Sequence, residues 1–205
     1  MRISVIKRKI VNVVLLNIAF ASAHLYADSA LYKPCAVCHG DKAEGNAALS
    51  APRLAGQNAA YITEQLHNFR SGKRGIHADD VLGQMMAESV KKINDQDIQR
   101  LGVFLAKLPE EKVDSTEGDI QRGRQIYADN CLACHGVDGR GVTPLYTANL
   151  RILSAAYIER QLEAYRNGWR GDHEWGTTRS KGMRAIVSQL KDESEIADLL
   201  AYLTH

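Results

Sequence analysis

Apolar positions recur along this chain at helical rather than strand spacing. Tyr61, Ile62, Leu66 and Phe69 form one stripe, and Tyr157, Ile158, Leu162 and Tyr165 form another with the same intervals. A second kind of stripe carries Ile98, Leu101, Phe104, Leu105 and Leu108, and its counterpart carries Ile196, Leu199, Leu200, Tyr202 and Leu203. Asn58, Ser154 and Asn94 precede these stripes and suit the N-cap position, where a short polar side chain accepts from an otherwise unpaired backbone N–H. Gly72 and Gly168 follow the first kind and suit the left-handed residue that closes a helix. A further helix is expected over Glu117 to Asn130, carrying Gly123 and Ile126-Tyr127. No stretch is strand-rich, so the expected fold class is all-α.

The stripes belong to one unit written twice. Ala60-Tyr61-Ile62 matches Ala156-Tyr157-Ile158, Gln65-Leu66 matches Gln161-Leu162, and Gly72, Arg74, Gly75 and His77 match Gly168, Arg170, Gly171 and His173, each pair 96 positions apart. Further along, Val90 pairs with Val187, Ile93 with Leu190 and Asp95 with Asp192, 97 positions apart. Pro109 ends the last helix of the first copy, and the polar run to Thr116 suits a connector. The expected organisation is an N-terminal segment 1–27, a first domain 28–108, a connector 109–116 and a second domain 117–205.

The segment 1–27 changes the reading of compartment and charge. Arg2, Lys7, Arg8 and Lys9 precede a largely apolar run from Ile10 to Ala23. The run is short for a membrane span and right for an export signal, with cleavage after Ala23 or Ala27; an uncleaved anchor is the alternative. The whole chain has 26 Lys and Arg against 24 Asp and Glu; four of the basic residues lie in this segment, leaving 22 against 24. That balance of −2 gives no basic surface for nucleic acid.

All four cysteines fall in two Cys-x-x-Cys-His pentapeptides: Cys35, Cys38 and His39, and Cys131, Cys134 and His135. This spacing is the attachment signature of a c-type haem, whose vinyl groups take both thiols while the adjacent imidazole meets the iron. Two covalent haem c groups are therefore expected. A zinc ribbon would bring the cysteine pairs about 15–20 residues apart, and a redox-active Cys-x-x-Cys would need a thioredoxin-like strand–helix pattern. Covalent haem attachment in an exported bacterial protein points to the periplasm.

The second axial position decides between carrier and catalyst. Besides Met1, the chain has Met85, Met86 and Met183. In the register set by Val90 and Val187, Met86 falls on Met183, and a thioether is a soft ligand suited to low-spin haem iron. Met86 and Met183 are the candidate ligands, with Met85 read as packing. His77 and His173 also match, but they sit in polar, Gly- and Arg-rich loops and are read as surface residues. Arg70, Arg74, Arg166 and Arg170 are read either as solvated groups near a helix C-terminus or as partners of haem propionates. Trp169 and Trp175 occur in the second copy alone and suggest no role.

With these residues in view, the chain resembles a two-domain, dihaem class I cytochrome c of the c-four type. The resemblance rests on the paired motifs, the segment Pro52-Arg53-Leu54-Ala55-Gly56-Gln57, the Ala-Tyr-Ile helix and the spacing from methionine to aspartate. It implies two tandem all-helical class I domains, each wrapped round one covalent haem with His/Met ligation. It implies electron transfer in the periplasm with redox partners such as an oxidase, a dehydrogenase or a quinol-oxidising complex, and loose peripheral membrane association. It also leaves open an electron-accepting subunit of a dehydrogenase, such as a flavin-containing sulfide dehydrogenase. An enzyme or gas binder would need one five-coordinate haem. The resemblance further implies that the Pro52 carbonyl holds the proximal imidazole. The second copy has Ala148 there, which puts the support of His135 in question. The first copy also has a short run before Cys35, implying a stunted first helix.

Overall fold

A computed structural model describes residues 28–205. The segment read as an export signal, with its cleavage points, lies outside the described residues. Helix α1 covers 28–39, followed by α2 (Ala59–Arg70), α3 (Val81–Val90) and α4 (Asp95–Ala106). The second half contains α5 (Ile120–Asn130), α6 (Leu132–His135), a single 3-10 turn (Thr143–Leu145), α7 (Ala155–Arg166), α8 (Thr178–Val187) and α9 (Glu193–Thr204). Among the described residues the β pairing consists of an isolated bridge between Asn46 and Ala51. The fold is all-α, as the periodicity predicts.

The helix boundaries follow from local chemistry. Asn58 accepts from the Ala60 N–H, Ser154 from Tyr157, Asn94 from Asp97 and Asp192 from Glu195. Gly72 and Gly168 adopt φ of 71° and 77°, the left-handed conformation that ends α2 and α7. The helix expected from Glu117 begins at Ile120. Asp119 caps it by accepting from Gln121 and Arg122, so the residues before it cannot join the helix.

Each half has its own core. In the first, Tyr32 of α1, Ile62, Leu66 and Phe69 of α2, and Ile98, Leu101 and Leu105 of α4 meet Val90 of α3. In the second, Ile126 and Tyr127, Ile158, Leu162, Tyr165, Val187, Ile196 and Leu199 do the same. Tyr32 and Tyr127 play equivalent parts. Their hydroxyls donate to the carbonyls of Gly40 and Gly136 at 2.7 and 2.5 Å, and their rings lie 6.0 and 5.3 Å from Phe104 and Tyr202. The first helix, with fewer described residues before its motif than α5, still docks through Tyr32 and through the Asp28–Arg100 pair at 2.9 Å.

One stretch of the repeat register needs correction. Arg70 donates to the Ile93 carbonyl at 2.6 Å and pairs with Asp95; Arg166 donates to the Leu190 carbonyl at 3.4 Å and pairs with Glu193. Asp95 therefore corresponds to Glu193, and the caps Asn94 and Asp192 correspond to each other. The second half carries one additional residue after Leu190, so pairing Asp95 with Asp192 is one position off. The match of Met86 with Met183 lies upstream, within α3 and α8, and keeps its register. These arginines hold the loop before the last helix.

Candidate haem sites and the junction between them

In the first half the pentapeptide forms the end of α1, so Cys35, Cys38 and His39 share one helical turn and a half. In the second, α5 ends at Asn130 and the motif continues through Cys131 into α6. No disulfide joins the four cysteines. Cys38 and Cys134 are exposed, while Cys35 and Cys131 pack against their cores. Burial pushes the Cys35 thiol up and the Cys131 thiol up to about 12. Among the described residues no group of three or more His, Cys, Asp or Glu is placed to hold a metal ion.

Both proximal imidazoles are buried, at 7 % and 8 % exposure. His39 Nδ1 lies 2.9 Å from the Pro52 carbonyl oxygen, and His135 Nδ1 lies 3.3 Å from that of Ala148. A carbonyl only accepts, so Nδ1 carries the proton in each ring and Nε2 keeps its lone pair. Burial lowers the pKa of both rings, against the raising effect of the carbonyl bond. The Arg170 guanidinium adds to the lowering at His135. The substitution of Ala148 for proline thus leaves the support of His135 in place, because the group that orients the ring is a backbone carbonyl. Its bond is longer. Loop bonds hold the backbone of each histidine itself: Gly45 N–H donates to His39 O at 2.8 Å, and Gly141 N–H to His135 O at 2.9 Å.

Met86 packs against the core that also receives Cys35, and Met183 against the core that receives Cys131. Met85 is 58 % exposed. Its reading as core packing is therefore corrected: α3 turns Met86 inward and leaves its neighbour in solvent. His173 is exposed in its loop, with 83 % of its side-chain surface open. His77 stands partly exposed at the junction, its ring 6.3 Å from that of Trp169. That contact across the halves gives Trp169 a packing role that its sequence did not suggest.

The junction contains a group of residues related by the repeat. Arg74 donates to Gln65 Oε1 and to Gln161 Oε1, both at 2.8 Å. Arg170 donates to Gln161 Oε1 at 2.7 Å and to Gln65 Oε1 at 2.9 Å. Each amide oxygen thus bridges two guanidiniums, one from each half. The Tyr157 and Tyr61 phenols approach Arg74 and Arg170 at 3.4 Å, and the guanidiniums lie over the Phe69 and Tyr165 rings at 4.3 and 4.6 Å. Burial raises the Tyr61 pKa, and the guanidiniums more than offset it. Among the described residues no carboxylate pairs with Arg74 or Arg170, although they are only 8 % and 5 % exposed. Two buried positive charges without an anion are costly, and acidic substituents on a bound group would relieve that cost. Reading these arginines as solvated is therefore corrected.

Other bonds lock the halves together. The Gln57 amide donates to Asn149 O at 3.0 Å and accepts from Asn149 N–H at 2.6 Å, with both residues buried. Arg179 pairs with Glu64, and Arg160 donates to the Ser50 carbonyl at 2.8 Å. The polar run after Pro109 is pinned as well: Glu111 pairs with Arg53 at 3.0 Å, and Glu110 pairs with Arg140 and accepts from Asn149.

An imidazole with Nε2 free, two thiols in one motif and a methionine packed against the same core suit haem c, and the uncompensated guanidiniums suit its propionates. This fold and donor set define a c-type cytochrome domain, present twice. The chain belongs to the cytochrome c family, whose model matches residues 28–109 and 120–205. It is 26 % identical over 198 residues to "Cytochrome c4" of Pseudomonas aeruginosa, covering 92 % of each chain. It is 32 % identical over 147 residues to "Thiosulfate dehydrogenase electron acceptor" of Stutzerimonas stutzeri, covering 66 % of this chain and 64 % of that relative. The crystal structure of reduced cytochrome c4 from Pseudomonas stutzeri shares the fold, with a TM-score of 0.67 at 24 % identity, over 87 % of this chain and 96 % of the other. The likeness is to dihaem, two-domain cytochromes of the c-four type.

Proposed function

We propose that the chain is a dihaem electron carrier of the bacterial periplasm, divided into a domain at 28–108, a connector at 109–116 and a domain at 117–205. Cys35, Cys38, Cys131 and Cys134 hold two haem c groups as thioethers. His39 and Met86 are the axial ligands of one, and His135 and Met183 of the other. When bound, the group supplies a one-electron iron couple. The chain's residues do the rest. The carbonyls of Pro52 and Ala148 keep Nδ1–H fixed, which presents a neutral Nε2 donor in one orientation. With the Met86 or Met183 thioether as second ligand, a bound haem would offer no coordination site to substrate, which separates a carrier from a peroxidase or gas binder. Helix packing around Tyr32, Ile98 and Leu101, and around Tyr127, Ile196 and Leu199, forms the cores against which Met86 and Met183 pack. The junction fixes the two sites relative to each other through Gln57–Asn149 and the guanidinium group.

The observation that carries this reading is the duplicated donor set, with both imidazoles in the same tautomer and a methionine in register in each half. Redox proteins are the partner class. The relative described as a thiosulfate dehydrogenase electron acceptor supports a second reading, in which the chain accepts electrons as a subunit or dedicated partner of a dehydrogenase. Among the described residues no helix is long and apolar enough to cross a membrane. Magnetic circular dichroism of the purified protein tests the ligand assignment. Two methionine–iron charge-transfer signals per chain are expected, and a bis-histidine or five-coordinate signature overturns it.

A further inference from the structure

The carbonyl that orients His135 is one end of a peptide unit, and the other end of that unit is the Asn149 N–H. His135 Nδ1 donates to the Ala148 carbonyl oxygen at 3.3 Å, and the Asn149 N–H donates to Gln57 Oε1 at 2.6 Å. The two bonds act from opposite sides on a single resonance-coupled O=C–N–H group. His135 belongs to the second half and Gln57 to the first, 92 positions before Asn149. The Gln57 amide has one orientation that satisfies its neighbours. Its Oε1 also accepts from the Asn58 N–H at 2.9 Å, and its Nε2 donates to the Asn149 carbonyl at 3.0 Å. Turned over, it would set its NH2 against two N–H donors and its oxygen against a carbonyl.

Gln57, Ala148, Asn149 and His135 are all buried, so water does not compete along this path. Hydrogen bonds in series through a buried peptide polarise one another, each strengthened by about 10–30 %. The fold itself does not require the glutamine. In the repeat, Ala148-Asn149 corresponds to Pro52-Arg53, and Gln57 corresponds to Leu153, whose side chain has no acceptor. His39 reaches its own carbonyl at 2.9 Å without such help. The half with the longer imidazole–carbonyl bond is the half whose peptide a glutamine polarises.

We propose that Gln57 is a positioning residue for His135: by accepting from the Asn149 N–H across the junction, it makes the Ala148 carbonyl a stronger acceptor and the His135 imidazole a stronger donor to iron. The proposal rests on the reading of His135 as an axial ligand. A more basic ligand favours the oxidised iron, so Gln57 holds down the potential of the haem assigned to His135. The first half thereby sets a property of the second. With Leu153 at the equivalent position, the second half returns no such bond.

The test uses the haem-loaded full chain with nitrogen-15-labelled histidine. In the reduced, diamagnetic protein the Nδ1–H proton resonance of each axial histidine reports the strength of its hydrogen bond, and potentiometric titration gives both potentials. Gln57→Met, close in size but without an effective acceptor, is expected to move the His135 Nδ1–H resonance upfield and to raise that haem's potential, a change of roughly twofold in its reduction equilibrium. The His39 resonance and the other potential stay in place. Gln57→Leu installs the residue of the other copy and should do the same, so the test stands if either variant fails to fold. Gln57→Glu keeps an acceptor oxygen and should leave the potential at or below the wild-type value. As a control, Glu64→Gln/Arg179→Gln removes an ion pair across the junction without changing the net charge, and should leave the His135 resonance where it is. An unmoved His135 resonance in the Met and Leu variants, an equal displacement in the ion-pair control, or a rise in potential with Gln57→Glu overturns the proposal. A wild-type protein with no haem-bound His135 signal refutes instead the ligand assignment beneath it.

Discussion

Two glycines in the second half test the packing that positions its haem motif, because the same added methyl group has opposite consequences at each. Gly123 lies where α5 crosses α9. A Cβ there would overlap the Asp198 carbonyl oxygen, at 2.6 Å from its carbon and 2.9 Å from Tyr202 Cβ. The obstruction is helix backbone, so it yields only if the helices separate. Overpacking of this kind costs about 1–3 kcal/mol or more, and separation would also loosen Tyr127, whose hydroxyl anchors the loop after His135. Gly182 lies on the open side of α8, and a Cβ there meets nothing within 4 Å. Alanine at such a helix position gains roughly 0.5–1 kcal/mol. One kcal/mol shifts the melting temperature of a domain of this size by about 4–8 °C. Gly123→Ala should therefore lower the second domain's transition by about 4–24 °C, and Gly182→Ala should raise it by about 2–8 °C. The assay is thermal unfolding followed by far-ultraviolet circular dichroism and the Soret band. Equal shifts of the same sign, or a Gly123→Ala protein as stable as wild type, would refute the α5–α9 packing described above.

Other outcomes follow from the same structure. Met86→Ala and Met183→Ala should each abolish one methionine–iron signal and open one haem per chain to carbon monoxide; a variant that keeps both signals removes that residue as ligand. The haem of the first copy should have the lower potential, since His39 makes the shorter bond to its carbonyl and Arg170 adds positive charge near His135. Potentiometric titration of Arg170→Gln should lower the upper potential and leave the lower one in place; a fall in the lower alone reverses the order. Arg70 holds the Asp95 carboxyl below the usual carboxylate range. Its contribution is present above the unfolded value near 3.8 and is lost as pH falls through the lower folded value. Because Asp95 is exposed, Asp95→Asn should change acid unfolding only slightly, and a large loss of stability at pH 7 would contradict that.

Much of this architecture was legible in the sequence because it rests on local rules. Helical periodicity, side-chain caps and the closing glycines placed α2, α4, α7 and α9. The repeat isolated Met86 and Met183 and set them apart from Met85. What the sequence did not reveal depends on contacts between distant residues. Arg74 and Arg170 read as surface cations because nothing local shows that Gln65 and Gln161 face them across the junction. The role of Ala148 was obscured because a backbone carbonyl orients His135 and leaves no trace in residue identity. The additional residue after Leu190 shifted the register at Asp95, and only the matching ion pairs of Arg70 and Arg166 reveal it. The burial of Gln57 against Asn149 had one available signal: a glutamine in the Gly56-Gln57 step that the second copy replaces with Ile152-Leu153.

The central claim is that both pentapeptides carry haem in one chain. Intact-mass spectrometry of the protein purified from an exporting, haem-attaching host tests it most directly. The account predicts the mass of the processed polypeptide plus two haem groups that survive denaturation. A product with one such group, or with none, would contradict it.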